Sequence, residues 1–207
     1  MTLTSASSTD QTKTILITGA TGGIGRANAA RFAEEGFNII LLGRSKEKLE
    51  LIYEELEKSN PGKTLIHPFD FTTANADDYK ILAAAIDEEY PCLDGLIHNA
   101  GLLGTLAPIE HYPEESWEKI ITVNLNAPFR LTKTLLPSLS RSRDARIIFV
   151  SSSVGRAARA FWGAYGVSKF GLEGLMQTLA AELGKTTKIK VMSVNPGATR
   201  TAMRRDA

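Results

Sequence analysis

Six short apolar runs recur along the chain, and stretches with helical periodicity separate them. The runs are TILIT (14–18), FNIILL (37–42), TLIHPF (64–69), LDGLIH (93–98), ARIIFV (145–150) and IKVMSV (189–194). Each run is almost continuously hydrophobic and rich in β-branched residues, which is typical of strands buried on both faces of a parallel sheet. The pattern predicts an α/β fold in which helices cover both faces of a doubly wound parallel sheet.

Apolar residues spaced three and four apart fill the gaps between these runs. They predict helices over 24–36, 45–59 and 74–90. Gly36 is placed to end the first helix, and Ser45 is placed as the N-cap of the second. Residues 1–12 are rich in Ser and Thr and predict a flexible leader. Because no repeat or linker divides the remainder, we expect residues 13–207 to form a single domain.

Composition and charge narrow the class of protein. The 207 residues carry 24 Lys and Arg against 23 Asp and Glu, a net charge of +1 with neutral histidines. A nucleic-acid or anionic-membrane binder needs a basic excess, so neither partner is expected. No apolar run approaches the roughly 20 residues that cross a bilayer, and no secretory signal opens the chain. With Cys92 as the single cysteine, we expect a reducing, cytoplasmic location.

A glycine-rich string joins the first predicted strand to the first predicted helix. It reads TGATGGIG over residues 18–25. Glycines at such a junction adopt turn conformations closed to other residues and let backbone amides approach a pyrophosphate. The positive end of the helix then faces the phosphate. A tight strand-to-helix turn without a ligand would need the same glycines, so the string alone leaves both interpretations open.

The end of the second predicted strand bears on the choice of dinucleotide. An acidic residue about 20 residues after the glycines would accept hydrogen bonds from the adenosine ribose. Here Gly43 ends the strand and Arg44 follows, so a guanidinium is available for a 2′-phosphate. This favours NADP(H) over NAD(H), unless Arg44 is a solvated charge at a helix start. Asp70, after the third strand, is a candidate for contact with the adenine or an ordinary turn residue.

A serine, a tyrosine and a lysine follow the fifth predicted strand. Ser152 comes directly after the strand, and Tyr165 and Lys169 are four residues apart, on one face of a helix. A nearby ammonium favours the phenolate, so we expect Lys169 to lower the pKa of Tyr165. A tyrosine tuned in this way exchanges a proton with a carbonyl or alcohol oxygen held by the Ser152 hydroxyl. A Tyr-x-x-x-Lys pair alone is more often a surface pair, and only the combination favours catalysis.

Together these motifs resemble the short-chain dehydrogenase/reductase family. The matching segments are TGATGGIG (18–25), His98-Asn99-Ala100-Gly101, Asn124, Ser152, Tyr165, Lys169, and Asn195-Pro196-Gly197 followed by Thr201. The runs HNAGLLG (98–104), SSSVGR (151–156), WGAY (162–165) and NPGATRTAMR (195–204) resemble the bacterial YciK-type oxidoreductase subgroup of that family.

The resemblance implies a Rossmann-type sheet, a nicotinamide cofactor and a catalytic tetrad of Asn124, Ser152, Tyr165 and Lys169. The cofactor contacts that it implies, together with the candidates above, are Gly19, Thr21, Gly22, Gly23, Ile24, Gly25, Arg44, Asp70, Phe71, Asn99, Ala100, Gly101, Tyr165, Lys169, Pro196, Gly197, Thr199 and Thr201. Lys169 is expected to hold the nicotinamide ribose. The family's fold continues with a further strand and helices, so we expect its C-terminal end, and one wall of the substrate pocket, to be missing at Ala207.

Two positions receive a separate interpretation. His98 stands where the family usually has asparagine, and we interpret it as a structural histidine; the three histidines show no metal-ligand spacing, so no metal is expected. Pro128 follows Asn124 by four residues within a predicted helix over 114–136. Because proline has no N–H, it leaves the Asn124 carbonyl without its helical donor. Either that carbonyl is kept available for a water that relays protons in the family's mechanism, or the proline only kinks the helix.

We therefore expect an NADP(H)-preferring carbonyl reductase or alcohol dehydrogenase, with NAD(H) as the second cofactor and a small carbonyl or alcohol compound as substrate. Leu102, Leu103, Phe161 and Trp162 are candidates to flank the cleft and favour an apolar or aromatic substrate, although they also suit a core or an interface. The alternatives are a nucleotide-sugar epimerase or dehydratase of the longer branch of the family, and a non-enzymatic NADP(H)-binding redox sensor. The HNAG segment disfavours the first, and the intact Ser, Tyr and Lys disfavour the second.

The resemblance also implies a homodimer or homotetramer. The predicted helix over 114–136 and the helix that bears Tyr165 are rich in small and apolar residues. They are expected to pair across a two-fold axis as a four-helix bundle.

Overall fold

A six-stranded parallel sheet lies at the centre of the molecule in the computed structural model, which describes residues 12–205. The strands are β1 (Thr14–Thr18), β2 (Asn38–Gly43), β3 (Thr64–Pro68), β4 (Gly95–His98), β5 (Arg146–Val150) and β6 (Lys190–Val194). Their order is β3-β2-β1-β4-β5-β6, and every neighbouring pair is parallel. The order reverses between β1 and β4, which opens a crevice at the C-terminal ends of these strands. The predicted doubly wound parallel sheet is confirmed; the predicted leader, up to residue 11, lies outside the described residues.

The described part of the chain contains seven α-helices, of which the first six lie between strands and the last follows β6. They are α1 (Gly23–Glu34), α2 (Lys46–Glu57), α3 (Ala76–Glu89), α4 (Glu114–Ile121), α5 (Ala127–Ser140), α6 (Gly163–Leu183) and α7 (Ala202–Arg205). Short 3₁₀ turns span Ile109–His111 and Ser153–Gly155. Of the helices within residues 12–205, none has both the length and the apolar character that crossing a bilayer requires.

The strands bury side chains on both faces of the sheet. Leu16 and Ile40 belong to a core shared with apolar side chains of α3, α5 and α6. Their neighbours Ile17 and Leu41 belong to a second core on the opposite face, shared with α1 and α2. Strand side chains alternate between faces, and here both faces are dry, which is why the strand sequences are almost continuously apolar.

Local signals place the helix ends. Gly36 adopts a left-handed φ of 79° just after α1, as expected of a residue that terminates a helix. The Ser45 hydroxyl accepts a hydrogen bond from the backbone N–H of Lys48 and caps α2. The side chain of Asn75 caps α3 in the same way, within a capping box completed by Asp78.

The helix predicted over 114–136 is not uniformly α-helical. A π-helical turn over Thr122–Asn126 separates α4 from α5, and the backbone N–H of Ala127 bonds to the carbonyl of Thr122, five residues earlier. Pro128 lies in the first turn of α5. A residue without an N–H fits where the register of hydrogen bonds changes, and π-turns occur often at functional sites. The turn contains Asn124, so the predicted local distortion is present at this residue.

Candidate active site

A cleft of about 560 Å³ opens at the C-terminal ends of β1, β4, β5 and β6. Most of the predicted site residues line it, namely Gly19, Thr21, Gly22, Gly23, Ile24, Asn99, Ala100, Gly101, Ser152, Tyr165, Lys169, Pro196, Gly197, Thr199 and Thr201. The predicted residues Gly25, Arg44, Asp70, Phe71 and Asn124 lie outside its lining. The fold therefore gathers four motifs that are far apart in the sequence at the crevice where α/β sheets bind ligands.

Close approach of backbone to backbone explains the glycine string. Gly19 has a φ of 62°, and a Cβ there would lie 2.7 Å from the Cα of Ala100. A Cβ on Gly25 would lie 2.8 Å from the Asn99 side-chain nitrogen. That side-chain amide donates to the carbonyls of Thr18 and Gly19 at 3.0 and 2.9 Å. The strand-four loop thus braces the glycine loop, and a larger residue at either glycine would force the two apart.

The N-terminus of α1 faces the cleft without a side-chain cap. Its N-cap residue is Gly22, which offers no side chain to the first backbone amides, and Gly23 and Ile24 of the first turn line the cleft. Uncapped amides and the positive end of the helix dipole attract an anion. This cradle suits the pyrophosphate of a dinucleotide.

Ser152, Tyr165 and Lys169 meet on another wall of the cleft. Tyr165 is 8% exposed and lines the cleft together with Ser152. Burial raises the pKa of Tyr165, and the nearby Ser152 side chain offsets part of the rise. The expected lowering by Lys169 is wrong in this arrangement. The Lys169 Nζ atom lies 5.6 Å from the centre of the Tyr165 ring and donates to the carbonyl of Val150 at 2.7 Å.

Burial strongly shifts the pKa of the Lys169 ammonium. It is 5% exposed, and burial lowers its pKa to about 8, while the carboxylate of Glu173 opposes the change. Glu173 lies one turn further along α6 and is paired with Arg156 at 3.2 Å and with the Ser193 hydroxyl at 2.9 Å. A lysine with a pKa in this range can give up and regain a proton near neutral pH, which is a property of functional lysines.

The Asn124 side chain holds the structure around the site together. It is 1% exposed. Its Oδ1 accepts from the backbone N–H of Leu102 at 2.8 Å, and its Nδ2 donates to the Leu102 carbonyl at 2.9 Å and to the Ser168 hydroxyl at 3.1 Å. The side chain therefore fixes the loop after β4 against α6. Participation of the Asn124 backbone carbonyl, in the π-helical turn, in proton transfer stays a prediction.

Arg44, Asp70 and Phe71 lie beyond the cleft, at the ends of β2 and β3. Arg44 is exposed, and its charge helps to lower the pKa of Asp70. Burial pushes that pKa upward, but hydrogen bonds from the Thr72 amide and hydroxyl, at 2.9 and 2.7 Å, outweigh it. The Phe71 ring packs in the core, 5.1 Å from the Phe69 ring. Phe71 is 8% exposed and does not line the cleft, so its part in cofactor binding stays a prediction.

The mouth of the cleft differs in part from the sequence expectation. Leu103 and Trp162 line it as predicted, but Leu102 and Phe161 do not. Phe161 points outward and is 58% exposed. Residues that the sequence reasoning missed are Val150, Ser151, Ser153, Arg159, Asn195, Ala198 and Met203. Val150 ends the fifth predicted strand, and Ser151, Ser153, Asn195, Ala198 and Met203 lie within quoted runs that were not assigned to the site. Arg159 lies outside every quoted segment, and an irregular turn places it at the cleft.

His98 is buried beside the site and turned away from it. Its Nε2 lies 2.8 Å from the Thr132 hydroxyl, and its ring stacks on Phe149 at 4.7 Å. Burial lowers the pKa of His98 to about 3, so the ring stays neutral. It holds α5 against the sheet, as the structural interpretation requires. Within residues 12–205, no three His, Cys, Asp or Glu side chains form a group that could hold a metal ion.

Known proteins share both this sequence pattern and this geometry. The family of short chain dehydrogenases matches residues 13–207 of the chain. The chain belongs to the short-chain dehydrogenase family. The oxidoreductase YciK of Escherichia coli strain K12 is 44% identical over 193 residues, which cover 93% of this chain and 76% of that protein. The predicted resemblance to the YciK-type group of short-chain dehydrogenases is therefore confirmed.

Solved structures of short-chain dehydrogenases agree with the fold. A short chain dehydrogenase from Salmonella enterica serovar Typhi superposes with a TM-score of 0.93 at 43% identity, covering 95% of this chain and 81% of that one. A relative from Shigella flexneri 2a, crystallised in complex with NADP, has a TM-score of 0.91 at 43% identity, covering 94% and 81%. The predicted oxidoreductase family and Rossmann-type fold are confirmed.

Proposed function

We propose that this short-chain dehydrogenase is an NADP(H)-preferring carbonyl reductase or alcohol dehydrogenase acting on small carbonyl and alcohol compounds. The observation that carries the proposal is that Ser152, Tyr165 and the buried Lys169 line one cleft, with the Lys169 Nζ atom 5.6 Å from the centre of the Tyr165 ring. These groups share one cleft with the glycine cradle at the N-terminus of α1. The cleft thus combines a proton donor with a place for a dinucleotide.

The backbone conformation of the cleft leaves room for a nicotinamide dinucleotide. Both the left-handed turn at Gly19 and the tight packing at Gly25 exclude side chains, which clears the approach to the amides of α1. Gly22, Gly23 and Ile24 would hold the pyrophosphate. When bound, the cofactor supplies or accepts the hydride.

Side chains of the cleft would then bind the substrate oxygen and donate a proton to it. The Ser152 hydroxyl would hold the carbonyl oxygen, and the Tyr165 hydroxyl would donate its proton to it as negative charge develops. Burial keeps Tyr165 protonated, which suits the reductive direction. Lys169, whose pKa is lowered to about 8, is positioned to stabilise the tyrosinate that remains and to return a proton to it.

Replacement of the proton donor tests this function. Tyr165→Phe is expected to lower turnover of NADPH with ketones, aldehydes or quinones at least a hundredfold, the usual scale for an acid/base group. Affinity for NADPH, measured by fluorescence titration, should change little. Tyr53→Phe, on the exposed face of α2, is the matched control. Full turnover by Tyr165→Phe would refute the assignment of the proton donor.

The preference for NADP(H) rests on Arg44. Its exposed guanidinium follows β2 directly, and no acidic residue occupies the strand end. A charge-assisted hydrogen bond contributes roughly 1.5–3 kcal/mol, or about ten- to a hundredfold in affinity. NADPH is expected to bind at least tenfold more tightly than NADH. The relative from Shigella flexneri that holds NADP supports this choice.

Titration of both cofactors against Arg44→Gln tests the preference. The variant should lose most of the difference between NADPH and NADH, and high salt should reduce it in the parent protein because the charge pair is exposed. Gly43 is left unchanged, since a Cβ there would lie 3.2 Å from side-chain carbons of both Thr21 and Leu49. Arg143→Gln, at the opposite end of the sheet, is the charge-matched control. Equal affinities in the parent protein would show that Arg44 does not meet the 2′-phosphate.

We also propose a cytoplasmic homodimer or homotetramer. Phe129 on α5 and Val167 and Phe170 on α6 are large apolar side chains between 44% and 49% exposed, on the helices that the family resemblance assigns to the interface. Pairing of these helices with a second copy would cover them. Light scattering at micromolar concentration should give at least twice the chain mass of 22.5 kDa. Phe170→Glu should lower it and Ile81→Glu, on α3, should not.

A further inference from the structure

The cleft has an unusual balance of charge. Of the side chains that line it, Arg159 and Lys169 are cationic, and no aspartate or glutamate from the described residues joins them. Lys169 is buried and donates to the carbonyl of Val150, so its ammonium is already engaged. Arg159 is exposed at the mouth of the cleft. Its charge is available to whatever enters.

Arg159 is linked to the proton donor through an aromatic ring. Its guanidinium carbon lies 5.4 Å from the centre of the Trp162 ring, and that centre lies 5.7 Å from the centre of the Tyr165 ring. A cation over the face of tryptophan is held in place by the ring's quadrupole. The guanidinium is therefore no farther from the Tyr165 ring than these two distances combined, a span that a small substrate bridges.

No carboxylate among residues 12–205 forms an ion pair with Arg159. Arg156, three residues earlier in the same loop, is paired with Glu173 at 3.2 Å. The loop thus anchors one arginine in the protein and directs the other to the cleft.

The turn that carries Arg159 and Trp162 is held in a strained conformation. Phe161 has a φ of 71°, and it is the only non-glycine residue with a positive φ in the described part of the chain. Its carbonyl accepts a hydrogen bond from the backbone N–H of Ala107 at 3.1 Å. Gly163, which follows, leaves no room for a Cβ against the Tyr112 ring. Such strain persists only where the surrounding structure fixes it, often at ligand sites.

We propose that Arg159 binds an anionic group of the substrate, so that this enzyme acts preferentially on carbonyl compounds with a carboxylate or phosphate a short distance from the reacting carbon. The inference rests on the proposed function. The planar fork of arginine binds carboxylate or phosphate through two parallel hydrogen bonds, and stacking over the Trp162 ring holds the guanidinium in place for them. Leu103, Trp162 and Met203 line the same region and suit an apolar or aromatic body between the two polar ends.

A matched pair of aldehydes tests the proposal. The NADPH-loaded enzyme is assayed with 4-carboxybenzaldehyde and with methyl 4-formylbenzoate, which differ in the charge remote from the carbonyl and in one methyl group. 4-Formylphenyl phosphate, assayed in parallel, separates a preference for phosphate from one for carboxylate. The ratio of kcat/KM for the acid to kcat/KM for the ester is expected to exceed ten and to fall at least tenfold in Arg159→Gln, mainly through KM. Arg159→Lys should restore part of the ratio. Arg143→Gln removes the same charge far from the cleft and should keep the parent ratio.

Binding is measured separately, by calorimetry of the same aldehydes with the NADP-loaded protein. If neither aldehyde is reduced but the acid binds at least tenfold more tightly than the ester, and Arg159→Gln abolishes the difference, the proposed reaction fails and the anion site stands. Equal binding and equal turnover of acid and ester would overturn the anion site while leaving the reductase intact. A tenfold loss of NADPH affinity in Arg159→Gln would also overturn it, because the guanidinium would then serve the cofactor.

Discussion

Replacement of Lys169 by methionine should change the pH dependence of stability in a direction fixed by burial. In the folded protein the pKa of Lys169 is about 8, whereas an ordinary lysine, as in the unfolded chain, has a pKa of 10.5. The unfolded chain therefore holds this proton more tightly than the native state does. Stability rises with pH wherever the unfolded state binds more protons. The free energy of unfolding therefore increases as the pH rises from about 8 to 10.5.

The magnitude follows from the same shift. Each pKa unit corresponds to about 1.4 kcal/mol, so the native ammonium at pH 7 costs about 3 kcal/mol relative to the unfolded chain. Between pH 7 and pH 10 the parent protein should gain about 2–3 kcal/mol in unfolding free energy that Lys169→Met does not gain. The loss of the bond to the Val150 carbonyl in the variant shifts its stability by a similar amount at every pH, so it leaves this difference in slope unaffected.

Urea unfolding at several pH values, followed by tryptophan fluorescence, measures the difference. Lys185→Met, which removes an exposed ammonium just beyond α6, is the matched control and should give a profile parallel to that of the parent. Parallel profiles for the parent and Lys169→Met would refute the reasoning, since they would mean that the native site solvates the ammonium as well as water does.

Four further substitutions test the architecture around the cleft. Gly25→Ala should abolish NADPH binding and destabilise the protein, because the new Cβ would meet the glycine loop. Gly174→Ala, where a Cβ would have no atom within 4 Å, should raise the free energy of unfolding by about 0.5–1 kcal/mol through helix propensity. Calorimetric melting and cofactor titration compare the two variants. Asn124→Ala should cost about 1–3 kcal/mol because it leaves buried backbone groups of the loop after β4 unpaired, and urea unfolding would contradict this if the midpoint were unchanged. Glu173→Gln should lower the pKa of Lys169 further, since the carboxylate raises it, and so move the pH profile of kcat to lower pH; an unmoved profile would show that Lys169 does not set it.

The fold was predictable from sequence because its determinants are local and redundant. Strands buried on both faces must be apolar at successive positions, so runs such as TILIT at 14–18 identify them without knowledge of their neighbours. Caps such as Ser45 place helix ends to within a residue or two. The π-helical turn at Thr122–Asn126 was only partly predictable. Pro128 signals that a hydrogen bond is missing, but the register that replaces it depends on packing between α4, α5 and α6.

The candidate site was predictable where a motif keeps its residues close in the sequence or at fixed strand ends. Tyr165 and Lys169 share a helix face, and Ser152 lies at a strand end, so the sheet brings them together. The charge states were not predictable, because they depend on burial. Lys169 donates to the Val150 carbonyl, and burial raises the pKa of Tyr165, where the sequence led us to expect that Lys169 lowers it. Arg159 carries no spacing signal, because an irregular turn places it at the cleft.

Helix α6 carries residues of both the proposed catalytic site and the proposed oligomer interface, on opposite faces. Tyr165, Lys169 and Glu173 recur every four residues and face the sheet, which buries them. Val167 and Phe170 lie on the opposite side and remain exposed. Burial of an ammonium and its carboxylate partner disfavours close packing of the inner face, so contacts elsewhere on α6 must hold it in place. Covering the outer apolar face with a second copy would supply such contacts. In the proposed oligomer, burial of this face would therefore offset the cost of the buried charges at the proposed proton-transfer site.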